Sequence, residues 1–262
     1  MKKKKAVFIV LIVLLLGVFG YSAYLLGDYY LGVYRSDKCT AQAAEFVHVR
    51  PGTEAGQSGT SKTPKKPKDP RLPAEDPEPE GIDVDFEGLW KINGDIIAWI
   101  YSPDSPISYP IVQSDDNEYY LRRLLDGSWN TSGTLFLDYR CPSDFTGVNN
   151  IVYGHNMKSG GMFGSLTRYQ SQSYYNDHPV MYLATPSQLY RVELFVGCTV
   201  NAEDNIYDPA ASLETIQKMM RRSNFTPNHT IELDGPVLTM STCSYSFENA
   251  RYLVMGKLVP ID

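Results

Sequence analysis

The sequence predicts a mainly β domain with accessory helices, tethered by an N-terminal anchor. Three observations carry that expectation. From Gly81 onward, short apolar runs recur between turn residues, the pattern of a largely antiparallel sheet folded as a barrel or sandwich. Residues 6–26 form an uncharged, mostly apolar run. Between the two, residues 50–80 are crowded with Pro, Gly, Ser, Thr and charge.

Taken in order, residues 2–5 are all Lys and read as a cytoplasmic basic tail (residues 1–5). The apolar run 6–26 has the length of about 20 residues that spans a bilayer. A cleaved signal peptide also has a basic start, but its apolar core is usually about 7 to 15 residues and ends at a small-x-small site. This run ends Tyr24-Leu25-Leu26-Gly27, which favours an uncleaved anchor with the bulk of the chain outside the cell. Residues 27–49 continue as a juxtamembrane segment suited to a short helix. Residues 50–80 hold Pro64, Pro67, Pro70, Pro73, Pro77 and Pro79, and cannot bury enough apolar surface to fold. They read as an extracytoplasmic linker and semi-rigid stalk, at about 3.1 Å per residue when extended.

Residues 81–262 form the globular unit. Phe86 to Ile92 suggests a short helix. Strands are expected at Ile96–Tyr101, Ser108–Val112, Thr134–Leu137, Asn150–Tyr153, Val180–Ala184 and Leu189–Val200. Helices are expected over Asn117–Leu125, Gly161–Tyr169 and Leu213–Arg222, the last from apolar and basic residues alternating at helical spacing. Thr230–Leu233 is a further extended run. Gly235–Thr242 and Arg251–Met255 close the chain as two strands joined by the polar stretch Ser244–Asn249.

Composition removes several function classes. A net charge of −6 without a basic stripe gives no reason to expect a nucleic-acid partner. The four cysteines, Cys39, Cys141, Cys198 and Cys243, include no Cys-x-x-Cys pair, so no zinc site is expected. Two disulfides are compatible with an even count outside the cell, but a chain of this size does not need them, and no pairing follows from spacing.

Chemistry concentrates at Thr239-Met240-Ser241-Thr242-Cys243, with Arg251 eight residues on. Alternation puts Val237, Thr239, Ser241 and Cys243 on one face of the strand and Leu238, Met240 and Thr242 on the other. If the last two strands pair, Cys243 ends one and Arg251 begins the other, so a thiol and a guanidinium face one cleft. That suits a thiolate nucleophile with a cation for a developing oxyanion. Taken alone, Cys243 reads more readily as a small buried hydrophobe and Arg251 as a solvated strand end. A thiol in acyl chemistry needs an acid and base. Of the four histidines, His155 follows the apolar strand Asn150–Tyr153 at a strand-end loop, where active-site residues often sit.

These motifs, together with Tyr153-Gly154-His155-Asn156-Met157, Gly133-Thr134-Leu135-Phe136-Leu137-Asp138-Tyr139-Arg140 and Met162-Phe163-Gly164-Ser165-Leu166, resemble a class B sortase, a cysteine transpeptidase of Gram-positive envelopes. The similarity runs from about Phe86 to Leu258. Met240 departs from it, since the family usually has Leu there; the swap affects packing and not chemistry.

The resemblance implies an eight-stranded β-barrel with N-terminal helices and a helix before the Cys strand, the role that falls to Leu213–Arg222. It implies cleavage of a C-terminal sorting signal after its Thr, a thioacyl intermediate, and transfer to an amine. The substrates would be surface proteins or pilins, and the acceptor a peptidoglycan cross-bridge, lipid II or a pilin Lys. Cys243, His155 and Arg251 would be nucleophile, acid–base and clamp, while Asn117, Leu121, Tyr153 and Ser241 match positions lining the substrate groove. No cofactor is expected. Asp138 fits a strand-end structural carboxylate better than a third catalytic member. Two other readings stay open on the residues alone: a cell-wall cysteine peptidase with water as acceptor, and a non-catalytic wall-binding module.

Overall fold

The computed structural model describes residues 2–50 and 81–261. The expected stalk, apart from Arg50, lies outside them. The chain opens with α1 (Lys2–Ala44), a single helix of 43 residues and about 65 Å at 1.5 Å per residue. The expected juxtamembrane segment is therefore not a separate helix but the second half of α1. Every described side chain from Phe8 to Asp28 is exposed. Further along, Ser36 and Ala43 are buried against the rest of the protein.

Two short strands come after α1, β1 (Val47–Arg50) and β2 (Gly81–Val84), paired antiparallel with Arg50 opposite Gly81. The two ends of the Pro-rich segment thus lie side by side. A segment that leaves and returns at paired residues does not set the distance from α1 to the globular unit, so the stalk expectation changes: α1 itself packs on that unit. The helix α2 (Phe86–Trp90) comes next, capped by Asp85, whose Oδ1 accepts from the Gly88 N–H at 3.0 Å.

Eight strands then close a barrel: β3 (Ile96–Tyr101), β4 (Ser108–Val112), β5 (Leu135–Leu137), β6 (Asn149–Tyr153), β7 (Val180–Ala184), β8 (Leu189–Asn201), β9 (Val237–Cys243) and β10 (Ala250–Ile261). Their order around the barrel is β10-β8-β7-β3-β4-β5-β6-β9. The β4–β5 and β6–β9 pairs are parallel and the others antiparallel. The interior is filled by alternate residues such as Ile100, Leu137, Val152, Leu183, Leu194, Leu238, Met240 and Val254. Met240, the departure from the family pattern, is fully buried there.

The outer faces of many strands are covered too, which is why they read as continuous apolar runs. The end of α1, β1, β2 and α2 cover Trp99, Phe136 and Tyr182. On the other side, α4 (Leu213–Arg221) covers Phe195, Cys198, Leu253 and Met255 with Ile216 and Met219. Ser212 caps α4, accepting from the Thr215 N–H at 3.2 Å.

Three expected elements of the globular unit differ from the structure. Asn117–Leu125 is not a helix; only Tyr120–Arg122 makes one 3₁₀ turn. Asp116 Oδ1 takes the Glu118 and Tyr119 N–H groups at 2.9 and 2.7 Å, and the next backbone groups pair with the loop beyond, Thr134 N–H to Tyr120 O and Leu124 N–H to Ser128 O. Gly161–Tyr169 is likewise a 3₁₀ segment, Gly164–Gln170, continuing into a helix without a forecast, α3 (Gln172–Asp177). Thr230–Leu233 joins no sheet. All four cysteines are free thiols.

Candidate active site

Three strand ends meet at one rim of the barrel. The parallel pairing of β6 with β9 sets Tyr153 opposite Ser241, and the antiparallel pairing of β9 with β10 sets Cys243 directly opposite Arg251. The sheet is stitched one residue further by the Gly154 N–H, which donates to Ser241 O at 3.0 Å. Gly154 is required here: a Cβ would come within 2.3 Å of Leu135 Cδ2 and 2.7 Å of Phe163 Cδ2. The chain then turns out of the sheet at His155. Asn156 fastens that turn back, its Nδ2 donating to the carbonyl of Cys243 at 2.8 Å.

A cleft of about 690 Å³ opens at this rim. All seven residues singled out in the sequence line it: Asn117, Leu121, Tyr153, His155, Ser241, Cys243 and Arg251. Cys243, His155 and Arg251 are half-buried, accessible yet held. Cys141 and Cys198 are buried instead. Burial pushes the Cys141 thiol up, and pushes Cys198 up to about 11.

The His155 ring is fixed by a bond of 2.7 Å between Nε2 and the carbonyl of Leu121. A carbonyl only accepts, so Nε2 carries the proton and Nδ1 is the nitrogen left for proton exchange. That carbonyl is itself backed by Gly133, at φ +58, where a Cβ would lie 2.6 Å from Leu121 O. Arg251 donates from Nη1 to Ala250 O at 3.0 Å, which uses one of its five donors and keeps the guanidinium at the strand end.

One wall of the cleft is organised by Asp138, a carboxylate with no exposed surface. It accepts from the Arg140 backbone at 3.0 Å, Arg140 Nε at 2.9 Å, Arg140 Nη2 at 2.7 Å, Asn117 Nδ2 at 3.0 Å and Tyr153 OH at 3.0 Å. Burial alone would raise its pKa, but the Arg140, Tyr153 and Asn117 bonds outweigh it and hold the carboxyl below the usual range. Burial and the Asp138 charge drive the Tyr153 phenol far up, so it stays a donor.

Ser241 is only 2 % exposed, and its Oγ is 2.8 Å from the Tyr207 hydroxyl. Tyr153 spends its hydroxyl on Asp138, and Asn117 its Nδ2 on Asp138 and its Oδ1 on the Tyr139 N–H. Leu121, at 37 % exposed, is the one of the four groove residues that offers open apolar surface. The sequence reading gave no role to Tyr207, Asn156 or Arg140. Tyr207 sits in the segment between β8 and α4, stacks against Tyr153 with ring centroids 6.2 Å apart, and is pushed up to about 12 by burial. Arg140 Nη2 also donates to Tyr207 O at 2.9 Å, joining this segment to the Asp138 wall. The only local signal for Tyr207 was an aromatic inside a polar, acidic loop. Among the described residues, no cluster of three or more His, Cys, Asp or Glu could hold a metal ion.

No family model matches the sequence. Individual proteins do. Sortase B of Listeria monocytogenes is 34% identical over 179 residues, covering 65% of this chain and 72% of that protein. The structure of sortase B from Bacillus anthracis in complex with AAEK1 superposes with a TM-score of 0.66 at 27% identity, covering 88% of this chain and all of that one. A Staphylococcus aureus sortase B–substrate complex gives 0.63 at 26% identity, covering 68% of this chain and 85% of that one. With the closed eight-stranded barrel and the helix before the Cys strand, these likenesses decide against a peptidase and against a non-catalytic module: the chain belongs to the class B sortases and is a cysteine transpeptidase.

Proposed function

We propose that this transpeptidase cleaves a C-terminal sorting signal after its Thr, with Cys243 as nucleophile, and passes the acyl group to an amine. The observation that carries the proposal is the convergence of Cys243, His155 and Arg251 on one cleft at the joined ends of β6, β9 and β10. The Cys243 thiolate attacks the Thr carbonyl carbon, and the negative charge that develops on the oxygen is met by N–H donors of Arg251. The carbon–nitrogen bond breaks as His155 gives a proton to the departing amine, leaving a thioester on Cys243. An incoming amine attacks the thioester, gives its extra proton to His155, and the thiolate departs. Arg251 stays charged throughout and acts only as a donor.

The acceptor is an amine of a peptidoglycan cross-bridge, lipid II or a pilin Lys, and the substrate a surface protein or pilin bearing the signal. That a Staphylococcus aureus relative is solved with its substrate supports a peptide-binding groove here. The groove is formed by Leu121, Asn117, Tyr153 and Ser241, the last three shaping it through Asp138 and Tyr207. Among the described residues one helix, α1, is long and apolar enough to cross a membrane. We assign residues 6–26 as a single-pass anchor with residues 1–5 in the cytoplasm and residues 81–262 as the catalytic unit outside. The test is a sorting-signal peptide incubated with and without triglycine: the protein yields amide with the amine present, and Cys243→Ala yields neither amide nor acid. Unchanged transfer by Cys243→Ala would overturn the assignment.

A further inference from the structure

The globular unit begins to cover α1 at Tyr29, the first partly buried residue after the exposed run. The covering segment runs from residue 124 to residue 130, and its order along α1 is readable. Leu124 and Leu125 share a crevice with Ser36, Cys39 and Thr40. Asp126 is held below the usual carboxylate range by Ser128 first and, in smaller part, by the Arg35 charge. Asn130, 4 % exposed, donates from Nδ2 to Gly32 O at 2.9 Å. Asn130 is thus the point of this segment nearest the anchor, six residues past Leu26, or about 9 Å along the helix at 1.5 Å per residue.

Its neighbour Trp129 is 62 % exposed. The turn that presents it is stiff: Arg123 and Trp129 form a β-bridge, Arg123 Nη1 donates to Gly127 O at 3.0 Å, and the Arg123 guanidinium lies 4.7 Å from the centre of the Tyr119 ring. Tyr30, 63 % exposed, stands on α1 four residues past Leu26, about 6 Å along the helix. A rigid, solvent-facing indole is costly to keep in water. The headgroup layer, about 5 to 8 Å deep on each side of the hydrocarbon core, is where Trp and Tyr concentrate.

We propose that Trp129 docks into the phospholipid headgroup layer beside the anchor and, with Tyr30, seats the barrel on the membrane surface. This rests on the assignment of residues 6–26 as the membrane span. The occupant is lipid because the segment that presents Trp129 is bonded to α1 at Gly32, six residues past that span. Leu121, which lines the cleft, lies in the same loop region as Trp129, so the docking fixes how high the cleft stands above the lipid.

The full chain is placed in vesicles of phosphatidylglycerol and phosphatidylcholine, with plain or dibrominated acyl chains. Of the three Trp residues, Trp99 is fully buried, so Trp90→Phe leaves Trp129 as the single exposed indole. The Trp90→Phe protein should lose emission in brominated vesicles and resist quenching by aqueous iodide, and Trp90→Phe with Trp129→Phe should lose the bromine effect. Equal emission in plain and brominated vesicles, with ready iodide quenching, would overturn the docking while flotation with the vesicles upheld the anchor. Failure to float would overturn the anchor itself and the docking with it.

Discussion

Asp138 is a buried charge that organises a wall of the cleft. Its five accepted bonds hold Asn117, Tyr153 and Arg140 in one arrangement. Asp138→Asn keeps the size and removes the charge, leaving the Arg140 guanidinium without its anion. Unfolding free energy at neutral pH should fall by about 2 kcal/mol, the usual cost of breaking charge-assisted bonds. The folded-state pKa of Asp138 is depressed, so its contribution is present above the unfolded value of about 3.9 and is lost as pH falls through the lower, folded value. Urea denaturation should therefore show wild type and Asp138→Asn converging in acid; a constant gap would contradict this. Arg251 is a second residue-scale case. Arg251→Lys keeps the charge but loses the planar fork, and kcat/KM should fall roughly 100-fold, the scale seen when an oxyanion donor is removed. Near-normal turnover would mean its role is misassigned. Cys243, His155 and Arg251 could be singled out in the sequence because each is chemically unusual at a strand end. Tyr207 and Asn156 could not, because their importance lies in partners far away in the chain.

Among the elements, the β6 end and its turn carry the site. Asn156→Ala removes the bond to Cys243 O, which ties the His155 turn to β9. Stability should drop by only about 1 kcal/mol, while kcat should fall by roughly 10-fold or more, since small misplacements are costly in catalysis. Equal activity with equal melting temperature would show the tie to be idle. Gly154→Ala should be worse for folding than for chemistry: the new methyl overlaps Leu135 and Phe163, at a cost of about 1 to 3 kcal/mol measured by thermal unfolding. β9 and β10 were legible because alternation and a polar turn mark a hairpin. Asn117–Leu125 was not, because Asp116 caps the start as it would a helix, but the Tyr120 and Arg122 carbonyls then go to the N–H groups of Thr134 and Asn130, and the Leu124 N–H to Ser128 O. The short helix α3 lacked any stretch long enough to show a period.

At the scale of the whole molecule, the strand pattern alone left barrel and sandwich open, since closure depends on β9 meeting both β6 and β10, and it was the resemblance that implied the eight-stranded barrel found here. The order of elements along the chain does not reveal the parallel β6–β9 pair, yet that pair brings His155 to Cys243. The N-terminal region was the largest revision. Composition identified residues 50–80 as a segment unable to fold by itself, but not that its flanks, Arg50 and Gly81, are paired. Replacing residues 51–80 by a four-residue Gly-Ser turn should therefore leave the fold intact and raise stability by about 2 kcal/mol through the shorter loop. Calorimetry checks this, and a loss of folding would show that the segment does more than connect β1 to β2.

The most direct test of the central assignment is mass mapping of the acyl-enzyme. The full chain is mixed with a sorting-signal peptide in the absence of an amine, quenched in acid and digested. One thioester is expected, on the peptide containing Cys243; it should disappear when triglycine is added and be absent from His155→Ala. An adduct on Cys39, Cys141 or Cys198, or steady transfer without any adduct on Cys243, would contradict the assignment.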